Sequence, residues 1–172
     1  MIKLKNTTFA LKAGLLFSIF QVAHANDESL CNSNESIIAA CQINGQQKKI
    51  LSICSSPSKA KNKYVVYRYG ALEKIEFNYL VNESNRNKIY RGSYSGASNM
   101  TTLYWFYAGN YLYKVAIPLT GLVHLYVLNN GKKIFSKECT TNALGDIEIK
   151  NDLIIEKDSE EMFKIWLKGG IG

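Results

Sequence analysis

The sequence contains very little histidine and none of the short motifs typical of catalytic or metal sites. Only two of its 172 residues are histidine, and one of these, His24, lies in a leader-like N-terminal segment. A metal centre built from several histidines is therefore excluded for the rest of the chain. No CxxC, HExxH or GxSxG motif occurs, so we expect no metal ion, no cofactor and no catalytic residue. The other histidine, His124, stands alone in a strand-like run and is expected to have a packing role.

Positive charge is in excess but is nowhere concentrated. The formal net charge is +7, and no run of five like charges occurs. Nucleic-acid-binding domains usually carry a basic stripe or patch, which this sequence lacks. We therefore expect no nucleic-acid partner, and the mild excess of positive charge suits contact with anionic surfaces.

Long apolar runs are also missing, apart from a short one near the N-terminus. Lys3, Lys5 and Lys12 precede the apolar run at 13–20, and Ala23-His24-Ala25 has the small-x-small pattern of a cleavage site. Because the run is too short to span a bilayer, these features predict a secretory signal peptide at residues 1–25. Residues 26–172 are then a single β-rich domain, periplasmic or secreted, with a formal charge of +4 and no transmembrane segment.

Four cysteines remain in this exported chain, an even number that is typical of structural disulfides. Three pairings are possible. Cys54 lies at the end of a predicted hairpin that is remote from its turn, where Cys31 can reach it, whereas Cys41 lies nearer the turn. This geometry favours Cys31–Cys54 together with Cys41–Cys139.

Strand-like runs separated by turn residues fill the chain from residue 37 to residue 139. The clearest is a hairpin in which Asn44-Gly45 joins runs at 37–43 and 48–54. Further on, apolar and polar residues alternate with the period of two that is typical of strands with one buried face. The pattern predicts an all-β fold of about eight antiparallel strands, arranged as a sandwich or an open barrel. The other runs are at 64–69, 75–79, 90–94, 101–107, 111–117, 122–128 and 132–139.

The C-terminal part changes character and predicts one short helix. Asp158 and Glu161 have the spacing of a capped helix start, and an apolar stripe from Met162 to Leu167 follows. We expect this helix to pack against the sheet.

The segment 104–113 is unusually rich in aromatic residues. Strand alternation places Tyr104 and Phe106 on one face, and Trp105 and Tyr107 on the other. One of these pairs faces away from the core unless the C-terminal helix covers it, and exposed tyrosine and tryptophan are common interface anchors. We therefore predict a protein-binding surface in which such aromatics lie beside a small polar loop. Its residues are Ser95, Gly96, Asn99, Tyr104 and Trp105.

Several short motifs and a late cysteine occur in order between residues 38 and 140. They are Cys41-Gln-Ile, Leu51-Ser-Ile-Cys54, Tyr67-Arg-Tyr-Gly70, Ile75-Glu-Phe77, Gly109-Asn-Tyr111-Leu-Tyr113 and Cys139. In this order the chain resembles a group of small exported β-rich proteins of Gram-negative bacteria, most of which carry no assigned function. The resemblance bears on fold and location more than on activity.

The loop at 95–99 has a weaker similarity to the periplasmic lysozyme inhibitors, which are small disulfide-bearing β-barrels. Their binding loop carries a Ser-Gly-x-x-Tyr element, whereas here Ser95-Gly96-Ala97-Ser98 is followed by Asn99. The positive charge of the chain also suits an acidic target better than a basic lysozyme.

These features favour a non-catalytic periplasmic binding protein with a protein partner. Within that class we expect an inhibitor of, or an immunity protein against, a periplasmic or cell-wall-directed enzyme. A structural or envelope-associated protein is the alternative, and a hydrolase with an unrecognised site is the third hypothesis.

Overall fold

The computed structural model describes residues 29–46, 48–96 and 99–169. The predicted signal peptide lies outside these residues. Within them, ten strands precede one helix, α1 (Ser159–Leu167), and no helix is long and apolar enough to cross a membrane. The strands are β1 (Ser36–Gln42), β2 (Ile50–Ser55), β3 (Tyr64–Ala71), β4 (Lys74–Asn82), β5 (Ile89–Ser95), β6 (Met100–Ala108), β7 (Tyr111–Pro118), β8 (His124–Asn129), β9 (Lys132–Glu138) and β10 (Ile154–Glu156).

The strands form two sheets that enclose one hydrophobic core. Strands β1 to β4 form an antiparallel sheet in chain order, and the second sheet has the order β10-β5-β6-β7-β8-β9. Tyr67 of the first sheet and Phe106 of the second are each 1% exposed, and their ring centroids lie 5.0 Å apart. The predicted all-β fold is therefore confirmed, as a sandwich.

The structure differs from the sequence prediction in three details. The described residues contain ten strands rather than about eight, and β10 runs parallel to β5. With three residues, β10 is too short to show an alternating pattern, so only its pairing identifies it. Strand β2 begins at Ile50 rather than at residue 48, because Lys48 has a φ of 49° that ordinary strand residues do not adopt.

The continuation of β9 joins the two sheets along one edge. Ile43 forms an antiparallel bridge with Cys139, and the Thr140 amide donates to the Gln42 carbonyl at 2.8 Å. The disulfide Cys41–Cys139 lies at this corner, and a second disulfide joins Cys31 to Cys54. The two disulfides have the pairing that the hairpin geometry favours.

Helix α1 forms a third layer on the outer face of the six-stranded sheet. The predicted cap is present, because the Asp158 side chain accepts a hydrogen bond from the Glu161 amide at 2.8 Å. Met162 and Ile165 are buried in a second apolar cluster together with Trp105. Gly92 on β5 permits this close approach, since a Cβ atom at that position would lie 2.7 Å from the Cβ atom of Met162.

A buried lysine anchors the far end of this helix. Lys114 on β7 is 3% exposed, and its Nζ donates to the carbonyls of Trp166 at 3.1 Å and Lys168 at 2.6 Å. The last carbonyls of a helix have no partner within the helix and carry partial negative charge, so a cation is stabilising there. Burial, with smaller contributions from Lys133 and Lys168, outweighs this attraction and lowers the pKa of Lys114 to about 8.

Replacing this lysine with an apolar residue of similar length should loosen the helix. Lys114→Met leaves the last carbonyls of α1 buried without a donor, which costs about 1–3 kcal/mol of unfolding free energy. Because the folded-state pKa lies below the unfolded value, the wild type should also gain stability relative to the variant as pH rises from 8 to 10. Urea denaturation at several pH values checks both effects; an equally stable variant at every pH contradicts this role.

Candidate functional site

Four hairpin turns lie at one end of the sandwich. Each turn connects the two residues of a closing strand pair: Gln42 and Ile50, Ala71 and Lys74, Ala108 and Tyr111, or Asn129 and Lys132. Between the two sheets at this end, an open cleft of about 260 Å³ reaches into the core. We call it the aromatic cleft, because six aromatic residues line it: Tyr67, Tyr69, Phe77, Tyr111, Tyr113 and Phe135.

The rings of the cleft are fixed by contacts with one another and with the core. Phe77 on β4 stacks on Tyr113 on β7 across the two sheets, with centroids 4.8 Å apart and planes at 7°. Tyr113 also stacks on the buried Phe106 at 4.9 Å. On the other side, Tyr69 meets Phe135 edge to face at 6.3 Å. The walls are therefore formed before any ligand arrives.

A polar group lies at the buried end of the cleft. Tyr67 is 1% exposed and lines the cleft, and its hydroxyl makes no hydrogen bond to the described residues. Every completely buried side-chain nitrogen or oxygen among the described residues has a hydrogen-bond partner. Because the Tyr67 hydroxyl has none, it is not completely buried and borders open space. Burial raises the pKa of Tyr67 well above its usual value. The hydroxyl therefore stays protonated and is able to donate.

The rim of the cleft combines exposed apolar side chains with positive charge. Leu72, Ile75, Tyr111 and Ile134 are between 39% and 54% exposed. Five lysines and two glutamates lie in or beside the four turns, a formal excess of three positive charges. Of these lysines, Lys49 alone forms an ion pair with another described residue, and its partner is Glu76. The lysines are Lys48, Lys49, Lys74, Lys132 and Lys133, and the glutamates are Glu73 and Glu76.

The predicted binding loop lies at the opposite end of the sandwich. Ser95 and Gly96 are exposed, whereas Asn99 is half-buried and its side-chain amide donates to the Thr120 carbonyl at 2.9 Å. Ala97 and Ser98 lie outside the described residues. Strand β6, nine residues long, separates this loop from the turn beside the cleft, a distance of roughly 26 Å at about 3.3 Å per residue.

Tyr104 and Trp105 are each 1% exposed, so the structure does not present these two predicted contact residues at its surface. The Tyr104 ring lies in the core, and its hydroxyl donates to the Ile147 carbonyl at 2.9 Å. Trp105 stacks on Tyr90 at 5.5 Å beneath helix α1, which covers the outer face as the alternative interpretation required.

The exposed aromatic side chains beside the polar loop are instead Tyr94 and Phe163. They are 44% and 42% exposed, and their ring centroids lie 5.7 Å apart. This pair lies on the helix side of the molecule. The aromatic cleft, which reaches into the core between the two sheets, is the stronger candidate site.

Two groups with possible chemistry have structural partners. His124 lies half-buried on β8, with its Nε2 atom 3.4 Å from a Glu138 oxygen. Cys31, Glu35 and Cys54 lie close enough to hold a metal ion, but both cysteines are in a disulfide and offer no thiolate.

No family model, curated protein or solved structure matches the chain. The site is therefore interpreted from its own geometry. Sequence reasoning did not identify the cleft and did not assign Tyr111 and Tyr113 to it. The usable signal was the second group of alternating aromatics, Tyr67, Tyr69 and Phe77, which must face those tyrosines if the two sheets pack together.

Proposed function

We propose that this chain is a non-catalytic binding protein of an exported compartment, and that a protein partner inserts a side chain into the aromatic cleft. The observation that supports this proposal is a preformed aromatic pocket that opens to solvent beneath four turns. Monomeric proteins rarely leave such apolar surface uncovered unless it binds something.

The size of the cleft favours one inserted side chain over a whole small molecule. Pockets for drug-sized ligands usually measure about 300–1,000 Å³, and an engineered cavity of about 150 Å³ accepts benzene. At about 260 Å³ the aromatic cleft lies between these sizes. Aromatic-lined pockets that receive a single anchor are typical of hot spots in protein interfaces.

Within this class, we propose inhibition of, or immunity to, a periplasmic or wall-directed enzyme. Two disulfides and fixed aromatic walls give a rigid scaffold, and rigidity lowers the entropy lost on binding. A gene for such an enzyme beside the gene for this protein supports the proposal, and absence of inhibition by the purified protein counts against it.

Blocking the mouth of the cleft should abolish partner binding. Ile134 lines the cleft and is 54% exposed, so Ile134→Trp can place a large ring at the entrance with little effect on folding. We expect at least a tenfold loss of the partner recovered from an envelope extract on immobilised mature protein, measured by quantitative mass spectrometry.

Leu119→Trp is the matched control. Leu119 is also exposed, at 67%, but it lies just after β7 at the opposite end of the sandwich. This variant should recover the same partner as the wild type. Equal recovery by both variants would show that the cleft is not the binding site.

A further inference from the structure

We propose that the aromatic cleft recognises a tryptophan or tyrosine side chain carried by an acidic segment of the protein partner. This inference rests on the proposed function and adds the chemistry of recognition. It is drawn from the buried end of the cleft, its walls and its rim.

The buried end requires an anchor with a polar tip. Tyr67 lines the cleft, and its hydroxyl has no hydrogen-bond partner among the described residues. A purely apolar anchor would seal this hydroxyl away from water without a hydrogen bond, which is costly. Tryptophan and tyrosine combine a large apolar ring with an N–H or O–H group, and both usually find a partner when buried.

The walls fit a flat ring. Phe77 and Tyr113 stack on each other, and Tyr69 meets Phe135 edge to face, so the cleft has an ordered aromatic lining. Offset-stacked and edge-to-face contacts with these rings are favourable for an inserted aromatic group. Arginine is the third residue type enriched in hot spots, but the lysines around the rim repel it.

The rim favours acidic neighbours on either side of the anchor. Lys74 and Lys132 are exposed at the starts of β4 and β9, directly after turns of the two different sheets. Neither forms an ion pair within the described part of the chain. A segment with carboxylates flanking the inserted ring would therefore meet positive charge from both sheets, which raises association rate and specificity.

Four blocked pentapeptides test this inference on the mature, oxidised protein. Three carry two acidic residues on each side of a central tryptophan, phenylalanine or alanine, and the fourth carries a tryptophan between lysines. Calorimetric titration and amide NMR shifts measure affinity and location. We expect the acidic tryptophan peptide to bind at least 30-fold more tightly than the acidic alanine peptide, and at least tenfold more tightly than the lysine-flanked one.

Two variants separate the polar tip from the charge. Tyr67→Phe should weaken the acidic tryptophan peptide about fivefold and leave the acidic phenylalanine peptide within twofold, since only the former loses a hydrogen bond. The Lys74→Glu, Lys132→Glu double variant should bind both the acidic tryptophan peptide and the acidic phenylalanine peptide about tenfold more weakly at low salt. Lys59→Glu with Lys61→Glu makes the same charge change in the loop between β2 and β3, at the other end, and should have no effect.

Sodium dodecanoate is the competing probe. If dodecanoate shifts the cleft resonances and no peptide does, the cleft binds an alkyl chain and this inference is wrong. If peptides bind without preference for tryptophan or for acidic flanks, the inference fails while the cleft remains a protein-binding site. If no probe shifts the cleft resonances and Ile134→Trp retains the partner, the proposed function fails as well.

Discussion

Removing the disulfide between Cys41 and Cys139 should lower the free energy of unfolding by about 4 kcal/mol. The bond closes a loop with a sequence separation of 98 residues, and long loops lose the most entropy when the unfolded chain is cross-linked. It also joins the end of β1 to the residue that follows β9, across the two sheets. We expect a Cys41→Ala, Cys139→Ala variant to show this loss in urea denaturation.

The second disulfide provides the matched control. Cys31–Cys54 has a sequence separation of only 23, so removing it by Cys31→Ala with Cys54→Ala should cost about 3 kcal/mol. Thiol titration of the denatured wild type should detect no free cysteine, because both pairs are oxidised. A Cys41→Ala, Cys139→Ala variant as stable as the wild type would contradict the structural role of that bond.

The fold was accessible from sequence because its signals are local. The β1–β2 hairpin follows from Asn44-Gly45, and Gly45 has the positive φ of 67° that this dipeptide favours. Helix α1 follows from Asp158 and the apolar stripe after it. Each of these elements depends on residues within about ten positions of one another.

The site was less accessible because it depends on contacts between distant residues. Alternation showed that Tyr104 and Trp105 face opposite sides, but only the packing of α1 decides whether the outer side is covered. The cleft likewise requires that β3 and β4 meet β7, β8 and β9 across the core. The periodicity of a strand shows which of its side chains share a face, but it does not show which rings of the other sheet those side chains will contact.

A buried ion pair holds the segment before β1 against the outer face of the first sheet. The Glu35 side chain is completely buried, and Arg68 on β3 binds it through both guanidinium nitrogens. The Tyr64 hydroxyl donates to the same carboxylate at 2.8 Å, and the backbone amide of Asn32 donates to it at 2.6 Å. The disulfide Cys31–Cys54 lies beside this group, since Arg68 also lies 3.5 Å from the Cys54 sulfur.

Breaking this pair should be among the most destabilising single changes in the chain. Arg68→Met leaves a buried carboxylate without its cation, which costs about 3–5 kcal/mol. Glu35→Leu leaves the guanidinium unpaired and should cost a similar amount. The Glu35→Leu, Arg68→Met double variant should lose at least about 2 kcal/mol less than the sum of the single losses, because neither charge is then left alone. Strict additivity in urea denaturation would contradict the pairing.

Acid should weaken the wild type through the same carboxylate. Burial alone would raise the pKa of Glu35, but hydrogen bonds from Arg68, the Asn32 amide and Tyr64 outweigh it and hold that pKa below its usual value. A carboxylate with a lowered folded-state pKa stabilises the protein above its unfolded pKa, about 4.3, and that stabilisation is lost as the pH falls through the folded value. Glu35→Gln keeps the size of the side chain but does not titrate. The gap in unfolding free energy between the wild type and Glu35→Gln should therefore be constant from pH 7 to pH 5 and should shrink below about pH 4. A gap that stays the same down to pH 3 would show that the Glu35 carboxylate is not specifically stabilised in the folded protein.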